Sequence, residues 1–363
     1  MAVYHYQNKN IQSYLNGLYA QGLGKSLYLT NEEIEDILGN IGIFKFKGYY
    51  YAFKHSHRHT IDDILMVYYF DKYLTRIIMD LTSTIETKLK TVLVELCYKK
   101  LSVLPRSDKN KNNPFFYLIK RNYKRLLDSN GNLVLDRQGN PKRFKINGVT
   151  EGNWKVLTST NINVSESYSH YNLYYKNKYD MPLNKTKYLS RETLIITRAD
   201  INYPPFHYLI ESATLGGVIH LIKYLKIASF DILQQVSSHF SIHQSQNFIA
   251  YLERLNEVRN RAAHRERIFN RSYRSISRIG QYRSLSASLN EHKFIDVYLY
   301  FFFMLDKLDN FDTIEIFKEQ EIERLFKNFK EDYSLQLDSK MLIKNIKSEK
   351  FEEIKDFIMR GME

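Results

Sequence analysis

Between Gly48 and Pro105 the chain contains neither glycine nor proline, and this gap constrains the fold more than any other stretch. Within it Phe70, Leu74, Ile77, Ile78, Leu81, Ile85, Leu89, Val92 and Leu96 recur at helical spacing. That period lines up side chains along one side of an α-helix. Thr60, followed three residues later by Asp63, resembles a capping box, in which the two side chains satisfy the first free amides of a helix. The pattern predicts a long helix from about residue 61 to about residue 101, with room for one break.

The rest of the chain reads as shorter pieces arranged around that helix. Thr30-Asn31-Glu32-Glu33 carries the cap and acidic first turn of a helix start. Gly48 to Thr60 is rich in aromatics and histidine and suggests a loop or a short extended piece. Pro105 to Pro114 is a charged loop, and Phe115 to Leu127 a basic helix bearing Lys120, Arg121, Lys124 and Arg125. Asn130-Gly131 and Gln138-Gly139-Asn140-Pro141 punctuate short apolar runs, which predicts one or two hairpins in 128–160. Glu166 to Lys178 suits a helix. Tyr203-Pro204-Pro205-Phe206 is a rigid turn that launches a helix through Leu225, where Gly216-Gly217 either breaks the helix or admits a closely packed neighbour. Residues 291–310 form an apolar helix, and 313–361 is helical with mixed charge. The expectation is one compact, mainly α unit with a small β-hairpin insertion. Its segments are 1–127 (N-terminal helices), 128–165 (hairpin), 166–290 (helices with the arginine-rich stretch) and 291–363 (helical tail).

Charge is distributed unevenly. The formal balance is +13, yet residues 291–363 carry an excess of acids, so the first 290 residues hold more than the whole surplus. Residues 253–283 contain nine of the chain's twenty arginines, three acidic residues and no lysine. Elsewhere lysine predominates, so this stretch favours guanidinium, which is planar, permanently charged and able to grip a phosphate with two parallel hydrogen bonds. A basic body with a separate acidic tail suits a polyanionic partner. The 29 tyrosines and 22 phenylalanines add flat faces on which unpaired bases can stack, beside those needed for a core.

Other functional classes lose support. The single cysteine, Cys97, rules out a disulfide framework and any multi-cysteine metal site. No signal peptide is visible, and the longest apolar run, Val297 to Leu305, is too short to span a bilayer. The expectation is a cytoplasmic protein with no membrane partner. His55-x-His57-x-His59 invites a metal reading, but no carboxylate is spaced to complete a site, and a surface or RNA-contacting loop is the preferred reading. No Gly-rich phosphate loop or Ser-His-Asp set occurs, and no cofactor or metal is expected.

Around the arginines the period is again helical. Phe248, Leu252, Leu255 and Val258 mark an apolar side, and Asn256, Asn260, His264, Arg267 and Arg271 a polar stripe. Arg259 and His264 make an Arg-x4-His pair. Such spacing alone carries little weight, since 20 arginines and 11 histidines in 363 residues give roughly 1.8 pairs by chance over a few permitted gaps. Asn260 directly after the arginine, the polar stripe and the arginine enrichment raise its significance. Imidazole titrates near neutrality and suits the base and acid of ribose 2′-OH attack, while a fixed guanidinium stabilises the charged phosphorane. On an ideal helix Arg259 lies well round the cylinder from His264. The two can meet on one phosphate only if the helix ends or distorts between them, or if a second such helix supplies the complement. A solvated basic face is the bland alternative. Asp71 and Glu86, bordering the stripe of the long helix, are candidates to orient arginines across a helix interface, with an ordinary salt bridge as the simpler reading.

Arg259-Asn260-x-x-x-His264 followed by Phe269-Asn270-Arg271 resembles the signature of the Abi-like abortive-infection proteins, the AbiD/AbiF group of the HEPN ribonuclease superfamily. Phe70-Asp71-x-x-Leu74, Ile85-Glu86, His170-Tyr171 with Lys178-Tyr179, and Pro204-Pro205 extend the match over about 30–275. Phe206 departs from the tryptophan usual after that turn, and His264-Arg265 from a doubled histidine. The resemblance implies a HEPN-type helical bundle and metal-independent RNA cleavage in bacterial antiviral defence. Arg259, Asn260 and His264 would then be catalytic. Arg261, Arg265, Arg267, Asn270 and Arg271, with Lys120, Arg121, Lys124 and Arg125, would contact RNA. The superfamily's composite sites imply a homodimer, and the AbiF branch implies a structured non-coding RNA as antitoxin or regulator. A non-catalytic RNA-binding protein is the alternative.

Overall fold

A computed structural model describes residues 10–52, 59–125, 128, 130–135, 137–139, 205–273, 298, 301–302, 304–305, 314–333, 351–353, 355–356 and 358. Its chain begins with α1 (Ile11–Ala20), capped by the Asn10 side chain on the Ser13 amide at 2.9 Å. In α2 (Asn31–Ile41) both halves of the Thr30/Glu33 capping box form. Gly42 then takes φ +86°, a conformation that favours glycine, and the chain turns at once into α3 (Ile43–Ala52). The expected loop from Gly48 is therefore helical as far as Ala52. Phe46, Tyr49 and Tyr50 lie at steps of three and one and are all buried, so the aromatic richness belongs to a helix's core face. His55 and His57 lie outside the described residues, and His59 Nδ1 is 3.9 Å from Asp63.

The glycine- and proline-free stretch forms α4 (Ile61–Val103), 43 unbroken residues, or about 65 Å at 1.5 Å per residue. Its start is fixed three times over. Thr60 and Asp63 form the capping box, with the Thr60 amide 2.7 Å from Asp63 Oδ2. Asp62, fully buried, accepts from the Ser26 hydroxyl and, at 2.7 Å, from the Leu27 amide. Gly24 pairs with Thr60 in a parallel bridge so close that a β-carbon would meet His59 O at 3.2 Å.

The chain divides into two compact units. One contains Met1–Thr82, Glu257–Ser275 and Tyr282–Glu363, the other Ser83–Asn256 and Ile276–Gln281. The division falls inside α4 and inside the arginine-bearing helix. In the first unit the tail helix, introduced below, supplies Phe326 and Phe329. Phe70 stacks on Phe326 with ring centroids 4.7 Å apart and meets Phe329 edge-on at 5.4 Å.

The second unit corrects several expectations. No basic helix forms over the described residues 115–125. Two short 3-10 turns, Phe116–Leu118 and Lys120–Asn122, stand there instead. Phe115, Phe116, Tyr117, Ile119 and Tyr123 are all buried, too many neighbours for one helical face. Asn122 pairs reciprocally with Asn110 at 2.8 and 2.9 Å and donates to Phe116 O, holding the chain in its turns. Pro205 stands at the N-cap of α5 (Phe206–Ser212), but the helix does not run through to Leu225. It breaks at Ala213, and Thr214 caps a new helix, α6 (Leu215–Tyr224), with Gly216 and Gly217 buried in its first turn. Phe206 fills the expected aromatic place, against Phe116 at 4.7 Å. Among the described residues the two-stranded antiparallel sheet is β1 (Lys226–Ile227) with β2 (Phe230–Asp231), pairing Lys226 with Asp231. In the described part of 128–160, Asp128 caps a turn through the Asn130 and Asn132 amides, and Leu133 and Leu135 stand in isolated β-bridges. Residues 140–204, which hold the rest of the expected hairpins and the 166–178 helix, lie outside the described residues.

Asp231 caps α7 (Ile232–His239), and α8 (Ser245–Ala263) follows. The tail helix is α9 (Ile314–Tyr333), burying Ile322, Leu325, Phe326 and Phe329 at helical spacing. No helix among the described residues is long and apolar enough to cross a membrane. The expected mainly α fold with a small β element is the one observed.

Candidate nucleic-acid interface

Leu255, Val258 and Ala262 form the buried stripe of α8, which turns Arg259, Asn260, Ala263 and His264 outward. The helix stays regular to its end. The His264 amide still donates to Asn260 O at 3.0 Å, so Asn260 and His264 share a face while Arg259 sits round the cylinder from His264. Arg259 Nη1 donates to Asn260 Oδ1 at 3.2 Å. The Arg-Asn pair is thus joined, with His264 exposed one turn further on.

Termination follows immediately. Arg265 takes φ +53°, its amide donates to Ala262 O at 2.9 Å and the Glu266 amide to Arg261 O at 2.9 Å. This is the Schellman arrangement, which usually places glycine at the left-handed position. The polar stripe expected to run through Arg267 and Arg271 therefore stops at His264, because both arginines lie beyond the helix. Holding a non-glycine residue left-handed costs about 1 kcal/mol. Arg265→Gly is expected to raise stability by about 0.5–1 kcal/mol in urea denaturation, even as it removes a cation from the interface.

Beyond the turn the chain is clamped by Asp71 of α4, which is 1% exposed. Its carboxylate accepts from the Phe269 amide at 2.7 Å, from the Ile268 amide at 3.1 and 3.2 Å, and from the Tyr49 hydroxyl at 2.5 Å. Burial pushes the Asp71 carboxyl above the usual range, while Tyr49, the two amides and nearby Arg267 draw it back. Burial likewise raises the Tyr49 phenol, reinforced by the Asp71 charge. Asp71, a candidate either to orient an arginine or to form an ordinary salt bridge, holds main-chain amides instead. Glu86 pairs with Lys90 at 2.8 Å within α4, an ordinary salt bridge.

The arginines then separate by occupation. Arg261 is held by Glu257 and by Glu266, each at 3.0 Å. Arg267 is partly buried, donates to Gly48 O, and is lowered from the usual arginine range by burial and by Arg271. Arg271 Nε donates to Arg267 O at 3.2 Å, with its Nη2 3.8 Å from Glu266. Asn270 takes φ +50° in the turn after the clamp. Arg254 is buried, and Arg274, Arg278 and Arg283 lie outside the described residues. In the second unit Arg121 pairs with Asp108 at 2.7 Å and Lys124 with Asp231 at 2.8 Å. Arg125 is exposed, and the Lys120 side chain lies outside the described atoms.

Beside the end of α8, within the first unit, lies a cavity of about 950 Å³ that the sequence did not reveal. Lys45, Lys72, Arg76 and Arg265 border it, with Tyr68 on its wall. Tyr68, Lys72, Thr75 or Arg76, and Met79 follow at steps of four, three or four, then three or four along α4, away from its apolar stripe. That polar-aromatic face was the available signal.

A family model described as Abi-like protein matches residues 36–270. No curated protein matches, and no solved structure matches.

Proposed function

The chain belongs to the Abi-like protein family, which marks it as an abortive-infection protein, and on that premise we propose that it is a metal-independent endoribonuclease of the HEPN type. Its reacting groups are Arg259, Asn260 and His264, in a site completed by a second copy of the chain. A structured non-coding RNA docks on its basic surface as regulator.

The observation that carries this reading is the regular end of α8. Because the His264 amide still bonds to Asn260 O, one helix presents Arg259 and His264 on different sides. One phosphate can meet both only when a second α8 faces the first, as in the self-complementary contact of a two-fold dimer. In such a site an imidazole takes the ribose 2′-OH proton as O2′ attacks phosphorus. The P–O5′ bond breaks, the departing O5′ takes a proton from water, and a 2′,3′-cyclic phosphate and a 5′-hydroxyl result. Arg259, braced by Asn260, stabilises the charge gathered on the phosphorane oxygens. A non-catalytic arginine stripe fits less well, since Arg261 and Arg267 are already engaged within the chain.

Mixing Arg259→Ala chains with His264→Ala chains tests this arrangement. Each variant alone is expected to be inactive. The mixture is expected to regain up to roughly a quarter of wild-type cleavage, because half of the dimers are mixed and each of those has one intact site. No recovery in a mixture shown to exchange subunits overturns the shared site.

A further inference from the structure

The cavity beside α8 is lined by charges of both signs that the cleavage chemistry does not use. Lys45 of α3 is partly buried, with Nζ 5.7 Å from the centroid of the Tyr68 ring. Burial lowers its pKa, Arg265 and Lys72 push the same way, and Asp71 alone opposes them. Asp71 is already committed to two main-chain amides and Tyr49. Lys45, Lys72 and Arg265 all line the cavity, so an anionic group entering it has three cations to pair with. Tyr68 is fixed by edge-to-face contacts with Tyr49 and Tyr69, at 5.5 and 5.3 Å. From α2 the lining takes Glu33, with Asp36 and Asn40 one turn apart and exposed.

A bare polyanion would be repelled by Glu33, Asp36 and Glu266, and an apolar ligand would desolvate lining charges of both signs without pairing them. A nucleotide carries a phosphate at one end, a ribose with hydroxyl donors in the middle and a flat base with N–H donors at the other end. The volume, about 950 Å³, falls in the range of single-ligand sites, ~300–1,000 Å³. Only an unpaired nucleotide can leave its stack to enter such a space. Arg265 is the neighbour of His264 in the chain, so this space adjoins the proposed reacting groups.

We propose that this cavity takes one unpaired nucleotide of an RNA strand, its phosphate against Lys45, Lys72 and Arg265 and its base and sugar toward Tyr68 and the Asp36–Asn40 face. The choice of RNA over a free nucleotide rests on the cleavage reading; the nucleotide chemistry does not.

The test is equilibrium binding to the full-length His264→Ala chain, in which RNA stays intact. The probes are a fluorescein-labelled single-stranded RNA hexamer, a blunt RNA duplex and adenosine 5′-monophosphate as competitor. The hexamer is expected to bind more tightly than the duplex. Lys72→Glu should weaken the hexamer about tenfold, while the charge-matched Lys25→Glu, on the exposed turn before α2, should not. Monophosphate that competes as tightly as the hexamer also supports the cavity and makes a free nucleotide its occupant. The site is overturned if neither probe binds, or if Lys72→Glu and Lys45→Met match Lys25→Glu with folding intact by circular dichroism. The two readings fail separately. Binding that depends on Lys72, with no cleavage by the wild-type chain, removes the ribonuclease alone. Cleavage that depends on His264 but not on Lys72 removes the cavity alone.

Discussion

Replacing His264 by alanine is expected to abolish RNA cleavage, lowering its rate by about 10²–10⁴-fold, the usual contribution of a positioned acid or base. The fold should not notice. His264 is exposed at the last turn of α8, and its helical bond is made by its main-chain amide, which alanine retains. Unfolding free energy should stay within about 0.5 kcal/mol of wild type. The discriminating comparison sets single-turnover cleavage against denaturation for the same preparation. Cleavage that persists in the alanine variant removes His264 from the chemistry. Cleavage that disappears along with the fold says nothing of catalysis, so both readings are needed.

Asp71→Ala is expected to have the largest effect on stability, a loss of about 3–5 kcal/mol. It strands two buried main-chain amides and the Tyr49 hydroxyl, each left without an acceptor at about 1–3 kcal/mol before relaxation. Asp71→Asn separates charge from hydrogen bonding. Its carbonyl oxygen can still accept from Phe269 and Ile268, and its amide can donate to the Tyr49 oxygen. Since burial disfavours the ionised carboxyl, the neutral replacement should cost only about 1 kcal/mol. Urea midpoints for the two variants check this. Equal losses would mean that the negative charge, not its geometry as an acceptor, holds the segment.

How far the sequence could be read depended on the range of each interaction. Local signals were legible: the Thr30/Glu33 and Thr60/Asp63 capping boxes, and the long helix between them and Pro105, stand where spacing placed them. Asp71 was legible as a position but not as a partner, because its ligands lie almost two hundred residues away and are amides, which every residue except proline carries. The end of α8 was hidden for a similar reason. Arg265 adopts a backbone conformation normally announced by glycine, so the polar stripe seemed to continue to Arg271. The 115–127 segment misled because its basic residues mask a run of buried aromatics held by an asparagine pair. The tail helix carried no recognisable motif, yet Phe326 and Phe329 complete the ring cluster on Phe70. Such contacts leave no local trace. The cavity was the least legible, being assembled from α2, α3, α4 and the end of α8.

The Asp71 clamp also divides the labour of heredity in this region. Because it grips main chain, it is blind to which side chains follow His264. Ile268 and Phe269 answer to the core that buries them, but neither is needed by name for the carboxylate to hold the turn, and proline alone would remove a donor there. The arginines around them can drift, reverse charge or be exchanged for another surface chemistry while the frame that presents His264 persists. One carboxylate on a distant helix thus leaves its neighbouring turn free to change specificity without renegotiating the fold.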